Sequence, residues 1–210
     1  GVTPGEIADP RPTCELIRQW STFHPEFAFL PRKFKIAVSA LEEVDRAATA
    51  FHDIGVYIVK NDAGEIGYRI LVGGGLGRTP VIGSFIREFL PREELLAYLE
   101  AIVRVYNLHG RRDNKFKARI KILVRALTPE VFAQKVEAEF AQIRGQRTAD
   151  AELLARMDAV FTPPTYDLLD NADLSNQFKA DPAFANWYRH NTHAHKITGY
   201  RIVTVCLKRA

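Results

Sequence analysis

The strongest constraint on the fold is a change of hydrophobic period part-way along the chain. From Lys33 to Val38 polar and apolar residues alternate, with Phe34, Ile36 and Val38 on one side and Lys33, Lys35 and Ala37 on the other. Such alternation predicts a strand with one buried face. Val56–Val59 and Tyr68–Val72 are β-prone runs around Asn61-Asp62-Ala63-Gly64, which predicts a hairpin. Val81–Leu90 fits neither period cleanly. From Pro91 the repeat lengthens. Leu95, Leu99, Ile102 and Tyr106 form a stripe at helical spacing, opened by Pro91, Glu93 and Glu94 and stopped by Gly110. Asn114–Leu127 predicts a second helix, with Phe116, Ile120, Leu123, Val124 and Leu127 in one core-facing sector. Thr128-Pro129-Glu130 caps a third, running to about Phe140. Strands followed by helices predict an α+β fold: a mixed β-sheet with helices packed on it, plus extended flanking segments.

Elsewhere the pattern is weaker. Pro12–Trp20, Val44–Asp53, Ala149–Val160 and Ala183–His190 are expected as helices. Thr162-Pro163-Pro164-Thr165 breaks the chain and leads into a linker or an extended wrapping segment. Tyr200–Leu207 reads as a strand, with Ile202-Val203-Thr204-Val205 strongly β-prone. No partner strand is evident after it. It is expected to be cut from a longer chain, and as an orphan strand to pair with a second copy in a homodimer.

Composition excludes several classes. With 47% apolar and 26% charged residues the chain has the balance of a soluble globular protein. No apolar run approaches the ~18 residues of a membrane span. Gly1–Pro12 resembles neither a secretory signal nor a transit peptide, so a cytoplasmic location is expected. The net charge of +4 and pI of about 9.1 are mild. Their distribution is not: Arg111, Arg112, Lys115, Lys117, Arg119, Lys121 and Arg125 face only one acid, Asp113. Such a cluster meets an anion or forms a solvated helix face. Cys14 and Cys206 match no zinc, iron–sulfur or disulfide spacing, and two reduced thiols are the simplest reading.

Four features could carry chemistry. Lys33 and Lys35, two apart on a strand, project from one face ~6–7 Å apart. Two ammonium groups so placed repel unless an anion or water relieves them. They are either an anion site or the guard of an edge strand. The run Gly73-Gly74-Gly75-Leu76-Gly77-Arg78 lacks the last glycine of a dinucleotide fingerprint and is no P-loop, which leaves turn geometry or close approach of backbone to a ligand. The basic residues 111–125 could bind phosphate or carboxylate groups, and a non-enzymatic anion- or nucleic-acid-binding module using them is the alternative function. Phe116 belongs to the core stripe there, so no stacking platform for bases is expected and nucleic acid is disfavoured. His190, His193 and His195 lie close in sequence, but without a supporting motif they are read as ordinary polar histidines, and no metal ligands are assigned.

The order of these pieces resembles a known family. Leu30-Pro31-Arg32-Lys33-Phe34-Lys35, then Leu71-Val72-Gly73-Gly74-Gly75-Leu76, then His109-Gly110-Arg111-Arg112 leading into Lys117-Ala118-Arg119-Ile120-Lys121, resemble the sirohaem and iron–sulfur domain of sulfite and nitrite reductases. The likeness spans Phe23–Phe140. Asp9-Pro10-Arg11-Pro12 is similar to the exit from the family's first ferredoxin-like half, and His195-Lys196 with Gly199-Tyr200 and Val203-Thr204-Val205 to the entry of the second.

The resemblance implies six-electron reduction of sulfite to sulfide, or nitrite to ammonia, at a sirohaem coupled to a [4Fe–4S] cluster. It implies that Lys33 and Lys35 line the anion side of the haem, that Arg32 meets a sirohaem carboxylate, and that Gly73, Gly74, Gly75 and Arg112 contact the cofactor. It divides the chain into an N-terminal flank (1–22), a reductase domain (23–145), and a linker with the start of the second ferredoxin-like half (146–210). The partners implied are the remainder of the parent reductase, sulfite or nitrite, and an external donor, ferredoxin or a flavoprotein. The family holds its cluster with four paired cysteines, which this sequence does not match. The chain alone is therefore expected to bind neither cofactor and to be inactive.

Overall fold

The computed structural model describes residues 1–41, 43, 45–146 and 149–205. The chain forms two units, Pro10–Thr162 and a smaller one made of Gly1–Asp9 with Pro163–Ala210.

In the larger unit, α1 (Pro10–Ser21) and the short α2 (Pro25–Ala28) precede a sheet of β1 (Ile36–Ser39), β2 (Ile54–Lys60), β3 (Ile66–Val72) and β4 (Ser84–Pro91). Strand order is β1-β2-β3-β4. β1 runs parallel to β2, and the other pairs are antiparallel, so the sheet is mixed as expected. β2 and β3 form the predicted hairpin, in register from Ile54↔Val72 to Lys60↔Ile66. Gly64 supplies the positive φ (81°) that its turn requires. The ambiguous stretch before Pro91 is β4, whose register with β3 shifts near Ile70.

The helices that follow cover this sheet. A single turn at Arg92–Glu94 leads into α3 (Leu95–His109), closed at Gly110, whose N–H bonds to the Tyr106 carbonyl at 2.8 Å. The predicted stripe is the core face: Leu95, Leu99, Ile102 and Tyr106 are all buried. α4 (Ile120–Leu127) packs on β3, and α5 (Pro129–Ile143) packs on α3, α4 and β4. Phe132, Val136 and Phe140 of α5 are buried, Phe140 edge-on to Tyr98 at 5.1 Å. α6 (Ala151–Val160) packs on α1, and Arg92 pairs with its Asp158 at 3.0 Å.

Three expectations in this unit are corrected. The basic strand starts at Ile36, not Lys33, because the Lys35 N–H is taken by the Asp53 carboxylate (3.0 Å) rather than by a neighbouring strand. The helix expected over 114–127 is a turn at Lys115–Lys117 followed by α4; Arg119 between them is extended (φ −75°, ψ 148°). The break places Phe116, expected in the core, at 87% exposure. It also means that residues 111–125 form no continuous basic helix face. Of the helix expected over 44–53 only a turn at Thr49–Phe51 forms; Val44 lies outside the described residues.

The smaller unit contains α7 (Ser175–Ala180), α8 (Pro182–Asn191) and an antiparallel pair, β5 (Thr192–Ala194) and β6 (Arg201–Val203). Asp181 caps α8 through the Phe184 N–H at 2.9 Å. Tyr166, His195 and Tyr200 form a ring cluster with centroids 5.0–5.8 Å apart. The terminal strand is not an orphan: β6 pairs with β5 from Thr192↔Val203 to Ala194↔Arg201. The ground for expecting a homodimer through it is thereby removed. Cys206 and Leu207 lie outside the described residues.

A basic cavity as the candidate functional site

The residues just before β1, just before β2 and just before α4 converge. Phe34 stacks on Tyr106 at 5.7 Å, which anchors the basic segment to the core. Ile54 N–H donates to the Lys35 carbonyl (3.2 Å), and Asp53, 2% exposed, accepts the Lys35 N–H. The side chains of Lys33 and Lys35 stay exposed, and with Arg32, His52, Asp53 and Arg119 they line a cavity of about 220 Å³. Four cations there face one carboxylate.

Both arginines are held by partners within the chain. The extended backbone at Arg119 sends its guanidinium to Asp53, with Nη2 at 2.8 Å and Nε at 3.2 Å from one carboxylate oxygen. The Tyr106 hydroxyl donates to the Ala118 carbonyl and ties down the residue before it. Burial, more than any charge, raises the Tyr106 pKa, so the hydroxyl keeps its proton. Arg32 donates to the Lys115 carbonyl at 3.1 Å. His52 Nδ1 donates to the Ala48 carbonyl at 2.8 Å, so in the neutral ring Nε2 carries the lone pair. Lys121 lines a different pocket, with Gly73 and Val124, and its Nζ donates to the Thr79 (2.7 Å) and Leu76 (3.4 Å) carbonyls, which closes the glycine-rich loop. Burial first, and the charge of Arg119 second, lower its pKa.

The glycine run packs behind this cavity. Gly73 N–H donates to the Asp53 carbonyl at 3.0 Å. A Cβ on Gly74 would lie 2.4 Å from the Ala50 carbonyl oxygen and 2.7 Å from that of His52. A Cβ on Gly75 would lie 3.1 Å from the Arg119 guanidinium. The space beside Gly73 holds the Val124 side chain. These glycines thus let protein segments meet, and Gly75 lets a cavity arginine lie against backbone.

Of the residues singled out from sequence, the structure brings together Arg32, Lys33 and Lys35, with Gly73, Gly74 and Gly75 adjoining. Arg112 is elsewhere. Its guanidinium donates to the Phe29 carbonyl (2.7 Å) and Asn107 Oδ1 (2.8 Å), beside a separate pocket lined by Glu26, Arg104 and Glu139. Asp53 and His52 escaped the sequence reading, and Arg119 was legible as one of seven basic residues and as part of the Lys117–Lys121 motif, without a role of its own. The one available signal was Asp53, an acid at the mouth of an otherwise apolar strand. His190 Nδ1 donates to the Asn186 carbonyl, and His195 Nδ1 accepts from the Ile197 N–H. Among the described residues no group of three or more His, Cys, Asp or Glu is placed to hold a metal, and no helix is long and apolar enough to cross a membrane. Cys14 is exposed on α1.

Comparison with known proteins places these features in a family. The sequence profile described as "Nitrite and sulphite reductase 4Fe-4S domain" matches residues 1–144. The chain belongs to this family. It is 34% identical over 139 residues to sulfite reductase (ferredoxin) 1 of Mycolicibacterium paratuberculosis, covering 66% of this chain and 24% of that protein. It is 37% identical over 122 residues to sulfite reductase (ferredoxin) of Synechococcus elongatus, covering 54% and 19%. The solved structure of the Mycobacterium tuberculosis NirA protein superposes with a TM-score of 0.59 at 29% identity, over 68% of this chain and 26% of that one. The chain thus spans about a quarter of the length of the first of these relatives. The comparisons give no support to a nucleic-acid-binding module.

Proposed function

We propose that this chain supplies the cationic wall of the anion site in a sirohaem-dependent sulfite or nitrite reductase. The observation that carries the reading is the convergence of Arg32, Lys33, Lys35 and Arg119, from segments far apart in sequence, on one cavity. Lys33 and Lys35 are the residues on which we place anion binding and proton supply. Each ammonium group donates hydrogen bonds to an oxyanion and can give it a proton as oxygen leaves as water; both are exposed, so solvent restores the proton. Arg32, and Arg119 beside it, suit the carboxylates of a sirohaem, since a guanidinium meets a carboxylate at two points. When bound, sirohaem coupled to a [4Fe–4S] cluster supplies six electrons to the anion.

The fit is uneven across the two groups. A basic wall fits a macrocycle rich in carboxylates. The cluster does not fit: a [4Fe–4S] centre takes four thiolates, and the chain has two cysteines. We therefore assign the cluster to the remainder of the parent reductase, read residues 23–145 as the reductase domain, 1–22 as its N-terminal flank and 146–210 as a linker with the start of a second ferredoxin-like half, and infer that the chain alone is inactive. The electron donor, ferredoxin or a flavoprotein, belongs to the whole enzyme.

Two measurements test this. Sulfite and nitrite are titrated into the chain while backbone amides are followed by NMR. Shifts centred on residues 33–35 that weaken with added salt and vanish in the Lys33→Met/Lys35→Met double variant are expected; no shift at these amides refutes the anion site. Ferrous sirohaem is then added and its absorbance recorded. A tight, stoichiometric haem spectrum that shifts with sulfite would overturn the expectation that the isolated chain binds no cofactor.

A further inference from the structure

Asp53 links three parts of the candidate site, Arg119, Lys35 and Gly73. One carboxylate oxygen accepts Nε and Nη2 of Arg119, at 3.2 and 2.8 Å. The other accepts the Lys35 N–H at 3.0 Å. The Asp53 main-chain carbonyl accepts the Gly73 N–H at 3.0 Å, and the next residue, Ile54, donates to the Lys35 carbonyl at 3.2 Å. Residues 53 and 54 therefore grip Lys35 at both its N–H and its C=O. The carboxylate is 2% exposed, so it is a fixed part of the frame.

This arrangement is odd for an anion site, because a carboxylate repels the ligand. A cavity built only for positive charge is better without it. We propose that Asp53 is the positioning residue of this site: it sets the backbone from which Lys35 projects and aims the Arg119 guanidinium, and this outweighs its own repulsion of the anion. The inference rests on the cavity being an anion site, and it assigns to Asp53 a role that charge alone contradicts.

The two roles predict opposite signs. Replacing Asp53 by Asn removes one negative charge at nearly constant shape. On charge alone, the anion binds more tightly. As a positioning residue, Asn fails, because its one carbonyl oxygen cannot accept from both Arg119 and Lys35, and its NH₂ turns a donor toward a donor. Orienting partners at other sites act on the scale of 10–100-fold. Asp53→Asn in the full 210-residue chain is therefore expected to bind sulfite about tenfold or more weakly. The Arg119 Nε–H resonance should move, and the Lys35 amide should lose protection from hydrogen exchange, at unchanged far-UV circular dichroism.

Asp53→Glu adds a test at constant charge: the carboxylate is displaced by one methylene, and sulfite affinity should fall although the net charge is the same. Equal or tighter sulfite binding by Asp53→Asn, or wild-type affinity in Asp53→Glu, overturns the proposal. Absence of sulfite binding in the wild-type chain would sink the anion site instead. The resonances then decide alone: unmoved Arg119 and Lys35 signals in Asp53→Asn overturn the positioning role, and moved ones support it.

Discussion

Gly74→Ala separates a glycine needed for packing from one needed for a turn. The added Cβ would lie 2.4 Å from the Ala50 carbonyl oxygen, 2.7 Å from the His52 carbonyl oxygen and 2.9 Å from the His52 nitrogen. All three are backbone atoms, so no side-chain rotation relieves them. To reach ordinary contact near 3.4 Å, residues 50–52 must retreat by about 1 Å. The same Ala50 oxygen accepts the Gly83 N–H at 2.8 Å, so the retreat stretches a hydrogen bond as well. Forcing an atom into a filled space costs roughly 1–3 kcal/mol, and a stretched backbone bond adds about 1 kcal/mol. We expect a loss of about 2–4 kcal/mol, read as a lower urea midpoint at unchanged slope. Sulfite binding should weaken too, because the displaced segment leads directly into Asp53. Gly77→Ala is the control: its φ is 102° but nothing lies within 4 Å, so only the backbone term of roughly 1–2 kcal/mol applies. A Gly74→Ala chain within about 0.5 kcal/mol of wild type would refute this packing argument.

Three further outcomes are expected. Phe132 is fully buried where α5 meets the core, so Phe132→Ala should destabilise the chain by roughly 3–5 kcal/mol in chemical denaturation; a loss under about 1 kcal/mol would mean the core differs from that described. Phe116, 87% exposed despite its place in an apolar stripe, should tolerate Phe116→Ser within about 0.5 kcal/mol, and a larger loss would restore the continuous helix. The hydrogen bond from Arg18, followed by that from Gln19, lowers the Glu15 pKa from 4.5 to about 2. Its folded value is depressed, so its stabilising effect is complete above about 4.5 and is lost as pH falls through about 2. An NMR titration should place the Glu15 carboxyl midpoint near 2, and a midpoint near 4.5 would remove the Arg18 contact.

Much of the scaffold is legible in the sequence. The β2–β3 hairpin follows from two β-prone runs and a Gly at the position of positive φ, both local properties. The α3 stripe follows from apolar residues at helical spacing, although burial extends round most of the helix, to Ala97, Tyr98, Glu100 and Ala101. The start of α5 follows from a capping Thr and a Pro in the first turn. The errors fall where a local preference met a distant partner. Residues 114–127 have helical periodicity throughout, yet the helix breaks at Arg119, whose guanidinium reaches Asp53, 66 residues away. Lys35 alternates as a strand residue should, yet its N–H goes to that same carboxylate.

The division between sequence and tertiary structure follows from range. Hydrophobic period, turn residues and caps act over a few residues, so the sequence by itself determined the α+β class, the mixed sheet's hairpin, the buried stripe of α3 and the start of α5. Which cations share a cavity depends on where separate segments come to rest, and only the packed core decides that. It brought Arg119 to the cavity of Lys33 and Lys35 and left Arg112 lining a separate pocket. It also buried a carboxylate between them, because Arg119 and the Lys35 N–H both need an acceptor once water is excluded.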